Sequence, residues 1–185
     1  MAYFATIHFP FADLNAIASW SSDRDDPSVF RLSQAPLIPL LPPGMSVDLA
    51  VSLVGTLRSV HAIHNFRFAL QFASSVPHGS PETGESLDAQ SFDIAESRIM
   101  IGTEDGEAIA SRLEWFHLSD KTYPIGYLAD GFELAFNYIP PQRILDFHFI
   151  IAYNAKASDD SSEWFAVDVP HGLVLQSKLS LIPCS

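Results

Sequence analysis

The sequence predicts a mainly β domain: an antiparallel β-sandwich or jelly roll, or a closed β-barrel, of about ten strands with one or two short helices. Three observations lead there. Between Phe132 and Asn154, large apolar residues recur at every second position. A second block of this kind runs from Ser46 to Phe72. Phe occurs 14 times, mostly inside such alternating runs, and alternating aromatic residues fit pleated sheet layers better than helical bundles.

In chain order, Tyr3 to Phe9 reads as a strand with Tyr3, Ala5, Ile7 and Phe9 on its core face, ended by Pro10. Ala12 to Trp20 places Leu14, Ile17 and Ala18 at helical spacing behind a capping Asp13, and reads as a short helix or turn. Val29 to Leu32 reads as a short strand. The four prolines of QAPLIPLLPPG then exclude a central strand or a helix and predict an extended edge or crossover segment. In the Ser46 to Phe72 block, Val47, Leu49, Val51 and Leu53 form one apolar face and Phe66, Phe68, Leu70 and Phe72 another. Gly55 there marks a bulge or a tight approach. Residues 76–97 carry Glu82, Glu85, Asp88, Asp93 and Glu96 before the first basic residue, Arg98, and read as an acidic surface loop. Arg98 to Gly102 reads as a strand that Asp105-Gly106 closes into a hairpin. Glu107 to Leu118 fits helix or strand, and its aromatic end favours strand. Asp130-Gly131 signals a hairpin between 123–128 and 132–138. The runs FELAFNY and RILDFHFIIAYN, separated by IPPQ, read as one long hairpin. Glu163 to Val169 and Leu173 to Leu181 read as two closing strands. The sequence VPHG occurs at Val76–Gly79 and at Val169–Gly172, but the flanks do not align, so a recurring turn explains it better than a duplication.

One domain of 185 residues is expected, with a sizeable core. The formal net charge of −12 argues against nucleic acid and anionic membrane surfaces as partners. Cys184 is the only cysteine, which excludes an intrachain disulfide or a cysteine metal cluster. MAYFATIHFP lacks a basic segment followed by an apolar one, and no apolar run is long enough for a membrane span. A cytoplasmic protein, or one exported without a Sec signal, is the expectation. No P-loop, dinucleotide fingerprint, HExxH or nucleophile elbow occurs, and no metal or cofactor is expected.

Two constellations carry chemistry. Trp164 and Asp168 share one strand face in EWFAVDV, an indole beside a carboxylate, as a sugar site requires. Trp115 and His117 repeat the idea more weakly. Asp146 and His148 lie two apart on one strand, where a carboxylate orients an imidazole as a general base. The first pattern predicts a non-catalytic recognition protein for a glycan or another neutral small ligand. The second predicts a cofactor-independent β-barrel enzyme of the cyclase or isomerase type, with Asp146 and His148 in an apolar cavity. A third reading takes the acidic stretch 82–96 as the docking surface of an inhibitor or immunity-type partner for a basic protein.

Overall fold

The computed structural model describes residues 2–8, 15–23, 29–84, 86–112, 123–156, 161–176 and 182–183. Two antiparallel sheets pack face to face as a β-sandwich. The first has five strands in the order β1 (Ala2–His8), β2 (Asn15–Ser21), β5 (Ile63–Phe72), β10 (Gly131–Ile139), β9 (Ile125–Leu128). The second has seven, in the order β12 (Ile182–Pro183), β3 (Phe30–Pro36), β4 (Leu49–Ser59), β11 (Arg143–Asn154), β8 (Ser97–Glu104), β7 (Leu87–Ile94), β6 (Ser80–Thr83). Among the described residues the sheets do not close into a barrel.

The alternating faces read from the sequence form the interior. Phe132, Leu134 and Phe136 of β10, Phe66, Phe68, Leu70 and Phe72 of β5, and Leu145, Phe147, Phe149 and Ile151 of β11 are all buried in one cluster. Phe147 lies parallel to Phe30 at 5.7 Å and edge-on to Phe68 at 5.2 Å. Gly55 faces Phe147 across the β4–β11 ladder, and a Cβ there would strike the Phe147 ring. The tight approach predicted for Gly55 is therefore a seat for an aromatic ring.

The connectivity differs from the expectation. FELAFNY and RILDFHFIIAYN do not pair as a hairpin: β10 pairs with β5 and β9, whereas β11 pairs with β4 and β8. The chain crosses from one sheet to the other at Pro140–Gln142, and Gln142 takes a positive φ of 58° there. The β4–β5 connection crosses in the same way, so two arches lie side by side. Ser59 ties them together, donating to Pro140 O and accepting from Arg143 N. A hairpin and an arch both bury one alternating face per arm, so alternation alone does not separate them.

Four local assignments also change. Asn15–Ser21 is a strand rather than a helix, because Ala16 and Ala18 face the aromatic core at period two. Residues 80–94 are not a surface loop but strands β6 and β7, with Leu87, Asp88, Ala89, Gln90 and Phe92 buried. Asp105 closes no hairpin; it caps helix α1 (Gly106–Ser111), accepting from Glu107 N at 2.7 Å. The part of Glu107 to Leu118 that is described is thus helical, and residues 113–118 lie outside the described residues. Ser162–Val167 and His171–Gln176 are helices α2 and α3 rather than strands.

These two helices form a third layer. Ala166, Val167 and Val174 pack with Val54, Leu87, Ala89, Met100, Ile150 and Ala152 on the outer face of the seven-stranded sheet. Gly102 makes room for the contact: a Cβ there would sit 2.7 Å from the Val167 side chain. The proline segment after β3 adds Leu37 and Leu41 to this second cluster, while Ile38 and Leu40 project outward.

Candidate functional site

The helical layer covers the mixed face of β11, and most of the candidate chemistry gathers beneath it. Even positions of β11 and β8 share this face. The ladder pairs Met100 with Ala152 and Gly102 with Ile150. Two residues further along, the same register sets Glu104 opposite His148. His171, at the start of α3, comes down on the pair from above. His148 Nδ1 and His171 Nδ1 are 2.9 Å apart, with the rings stacked. Glu104 Oε1 lies 3.1 Å from His171 Nδ1 and 3.7 Å from His148 Nδ1.

Supporting groups hold these three in place. Arg112, the C-cap of α1, grips Glu104 with both terminal nitrogens, Nη1 to Oε2 at 2.7 Å and Nη2 to Oε1 at 2.6 Å. Such a planar fork fixes a carboxylate in orientation as well as position. Arg112 Nη2 also donates to Asp146 O at 2.8 Å, which anchors the fork to β11. Thr103 Oγ1 donates to His148 O at 2.6 Å and locks the backbone beneath the imidazole. Burial pushes the His148 pKa down to about 3, helped by the neighbouring His171 and Arg112 charges, so the ring is neutral at physiological pH.

The predicted pair Asp146 and His148 does project to one side of β11, but the partners differ. Asp146 Oδ1 accepts from Thr56 Oγ1 at 2.5 Å, and Glu104 is the carboxylate beside the imidazoles. His148 faces the helical layer, not solvent and not a barrel cavity; it is 1% exposed. Glu104 and His171 were missed for one physical reason. Both fall where the sequence pattern misleads: Glu104 ends a strand that runs two residues past Gly102, and His171 opens a helix whose first two residues read as a turn and whose remainder reads as a strand. His78, in the other VPHG copy, is exposed ahead of β6 and plays no matching part.

Trp164 and Asp168 are separated by one helical turn of α2, not by a strand repeat. Trp164 is half-buried against the second apolar cluster, beside Gly84 and Leu87. Asp168 caps the C-terminus of α2, its N–H donating to Trp164 O at 3.0 Å, and its side chain is exposed. Asp168 lines a cleft of about 510 Å³ between the proline segment and the α2–α3 corner, with Leu37, Ile38, Leu40, Val169, Pro170 and Leu173 as apolar walls. Pro170 and Leu173 bracket His171 in the chain, so this cleft and the histidine pair flank the same short helix. Trp115 and His117 lie outside the described residues. Glu163, in the first turn of α2, is buried and accepts from Asn154 Nδ2 at 2.8 Å.

A second buried polar knot sits on the same sheet. Asp88 accepts from Tyr123 and Tyr127 hydroxyls and from Gly106 N. Burial, followed by these bonds to Asp88, raises both phenol pKa values well above the usual range. The two phenols and the amide satisfy the carboxylate and lock α1 to β7 and β9, which is a structural task.

No family model, curated protein or solved structure matches this chain. No described helix is long and apolar enough to cross a membrane.

Proposed function

We propose that this protein is a recognition module for a small, mainly apolar ligand, received in the cleft between the proline segment and the α2–α3 corner. The observation that supports this is the cleft itself. Its volume of about 510 Å³ lies in the range of small-molecule sites, and its walls are proline, leucine, isoleucine and valine with one charged side chain, Asp168. A single carboxylate in apolar surroundings selects a ligand with one amine or hydroxyl at the end of a hydrocarbon body. The net charge of −12 draws cationic ligands toward the protein and repels anions. A glycan is favoured less, because many hydroxyls need many polar partners and Trp164 packs beside Gly84 instead of offering its face to the cleft.

Thermal-shift titration with a panel of apolar amines, alcohols, matched carboxylates and simple sugars tests the reading. Amines or alcohols are expected to bind saturably and more tightly than carboxylates. Asp168→Asn should weaken the amines about tenfold, the loss of one charge-assisted hydrogen bond. Leu173→Asp should abolish binding by placing a charge on an apolar wall. A panel without a saturable response, or a response that survives Leu173→Asp, removes the proposal.

A further inference from the structure

We infer that Glu104, His148 and His171 form a binding site for one divalent transition-metal ion. The inference rests on donor geometry. The three candidate atoms, Oε1, Nδ1 and Nδ1, define a triangle with edges of 2.9, 3.1 and 3.7 Å. Nitrogen and oxygen donors sit about 2.1 Å from zinc, so adjacent donors lie about 3.4 Å apart in a tetrahedron and about 3.0 Å in an octahedron. The observed edges span that interval. A point about 2.1 Å from all three atoms lies about 0.9 Å outside their plane, between the values for a tetrahedral cap and an octahedral face. The spacing therefore lets one ion lie within bonding distance of all three donors.

The surroundings are built as ligand supports are built. Arg112 holds both oxygens of Glu104 and is itself held by Asp146 O, which leaves Oε1 one lone pair for an ion. Thr103 fixes the backbone of His148. Val167 and Val174 of the helical layer and Ile150 below belong to the apolar cluster on this face. The three ligands come from β8, β11 and α3, elements separated in sequence, so the site exists only in the folded chain.

The donor set selects the ion class. Two imidazoles and one carboxylate suit zinc, cobalt, nickel, iron or copper, whereas calcium and magnesium require shells of oxygen. Three protein ligands leave at least one coordination position open, as catalytic metal sites do. His171 and Glu104 keep side-chain exposures of 18% and 10%, so the open position can reach water.

Titration of the chelator-treated chain with Co²⁺, followed by visible absorption, tests the site. One equivalent is expected to bind with d–d bands of a low-symmetry centre. His171→Ala and Glu104→Gln should each weaken binding at least tenfold while circular dichroism stays native. The double variant His61→Ala, His64→Ala, which removes two exposed imidazoles, should leave it unchanged. X-ray absorption on the zinc-loaded native chain needs no substitution, and two imidazoles in the first shell are expected. Absence of stoichiometric binding, binding undiminished in His171→Ala, or a shell with fewer than two imidazoles overturns the assignment. The cluster is then a hydrogen-bonded one, in which His171 Nδ1–H is shared between Glu104 and His148.

Discussion

The two faces of β4, β8 and β11 are made by the same strands and do opposite things. The inner face is mainly hydrocarbon: Phe147, Phe149, Leu53, Leu57 and Ile101 fill it, and each is almost wholly buried. The outer face is nearly as well buried under α2 and α3, yet it holds Ser52, His148 and Asn154, with the buried Glu163 of α2 set against Asn154. Burial by a second sheet admits few polar groups, and Ser59, Asp88, Gln90 and Thr103 on that side are each hydrogen-bonded. Burial by two six-residue helices leaves gaps at their ends, and the polar groups gather there. The inner face holds the fold together, and the outer face carries the proposed metal site. Each substitution below tests that division.

The largest effect is expected inside. Phe147→Ala removes a ring packed against Phe30, Phe68 and Phe149 and should cost about 3–5 kcal/mol in urea unfolding. Because Gly55 offers no side chain to fill the space, a value near the upper end is expected. A loss below about 1 kcal/mol would show that the sheets do not meet there.

The outer face should respond to pH where the inner face does not. With chelator present, His148 is neutral in the folded chain and its pKa lies well below that of an unfolded histidine. The unfolded state therefore binds a proton that the folded state refuses, and stability falls as pH drops below about 6.5 toward the folded value. At pH 4 the loss is on the order of 3 kcal/mol, counting about 1.4 kcal/mol per unit. Glu104, His171 and Arg112 all face this ring. In His148→Gln the slope of stability against pH between 4 and 6.5 should shrink by about one proton. An unchanged slope would place the acid sensitivity elsewhere.

This division also explains what the sequence disclosed. Odd positions of β11 were legible because five large apolar residues alternate with smaller or polar ones. Its even positions were legible only as mixed, since Ile144 at 62% exposure and Ile150 at 0% share one parity and differ only in what covers them. The cover was illegible. Ser162–Val167 and His171–Gln176 span under two turns each, and over six residues periods of 3.6 and 2 are hardly distinguishable. Reading them as strands sent Trp164 and Asp168 to a common strand face and hid His171. Of the site, His148 was found because its strand was right, and its partners were missed because theirs were not.

A smaller effect is expected at the far end of β11. Asn154 accepts from Asp48 N at 2.8 Å and donates to Ser46 O and to the buried Glu163 carboxylate. Asn154→Ala strands these groups and should cost about 2 kcal/mol. Asn154→Asp should cost more, since it sets two carboxylates together without water. If Asn154→Ala unfolds at the native urea midpoint, the outer face is wetter than its burial implies.

The smallest change addresses the metal site without touching a ligand. Thr103→Val keeps the shape of the side chain and removes only the hydroxyl that donates to His148 O. The loss in stability should be about 1 kcal/mol, the net value of one buried hydrogen bond. The hydroxyl acts through the His148 backbone, so its removal should loosen the imidazole and weaken Co²⁺ binding severalfold. Phe147→Ala, measured where it remains folded, lowers stability far more but removes a ring on the side of β11 away from the His148 imidazole, without touching the bond to His148 O, and should change Co²⁺ affinity less. Were Phe147→Ala to lower affinity more than Thr103→Val, the two faces of the strand would be coupled, and the separation of structural from functional burial would fail.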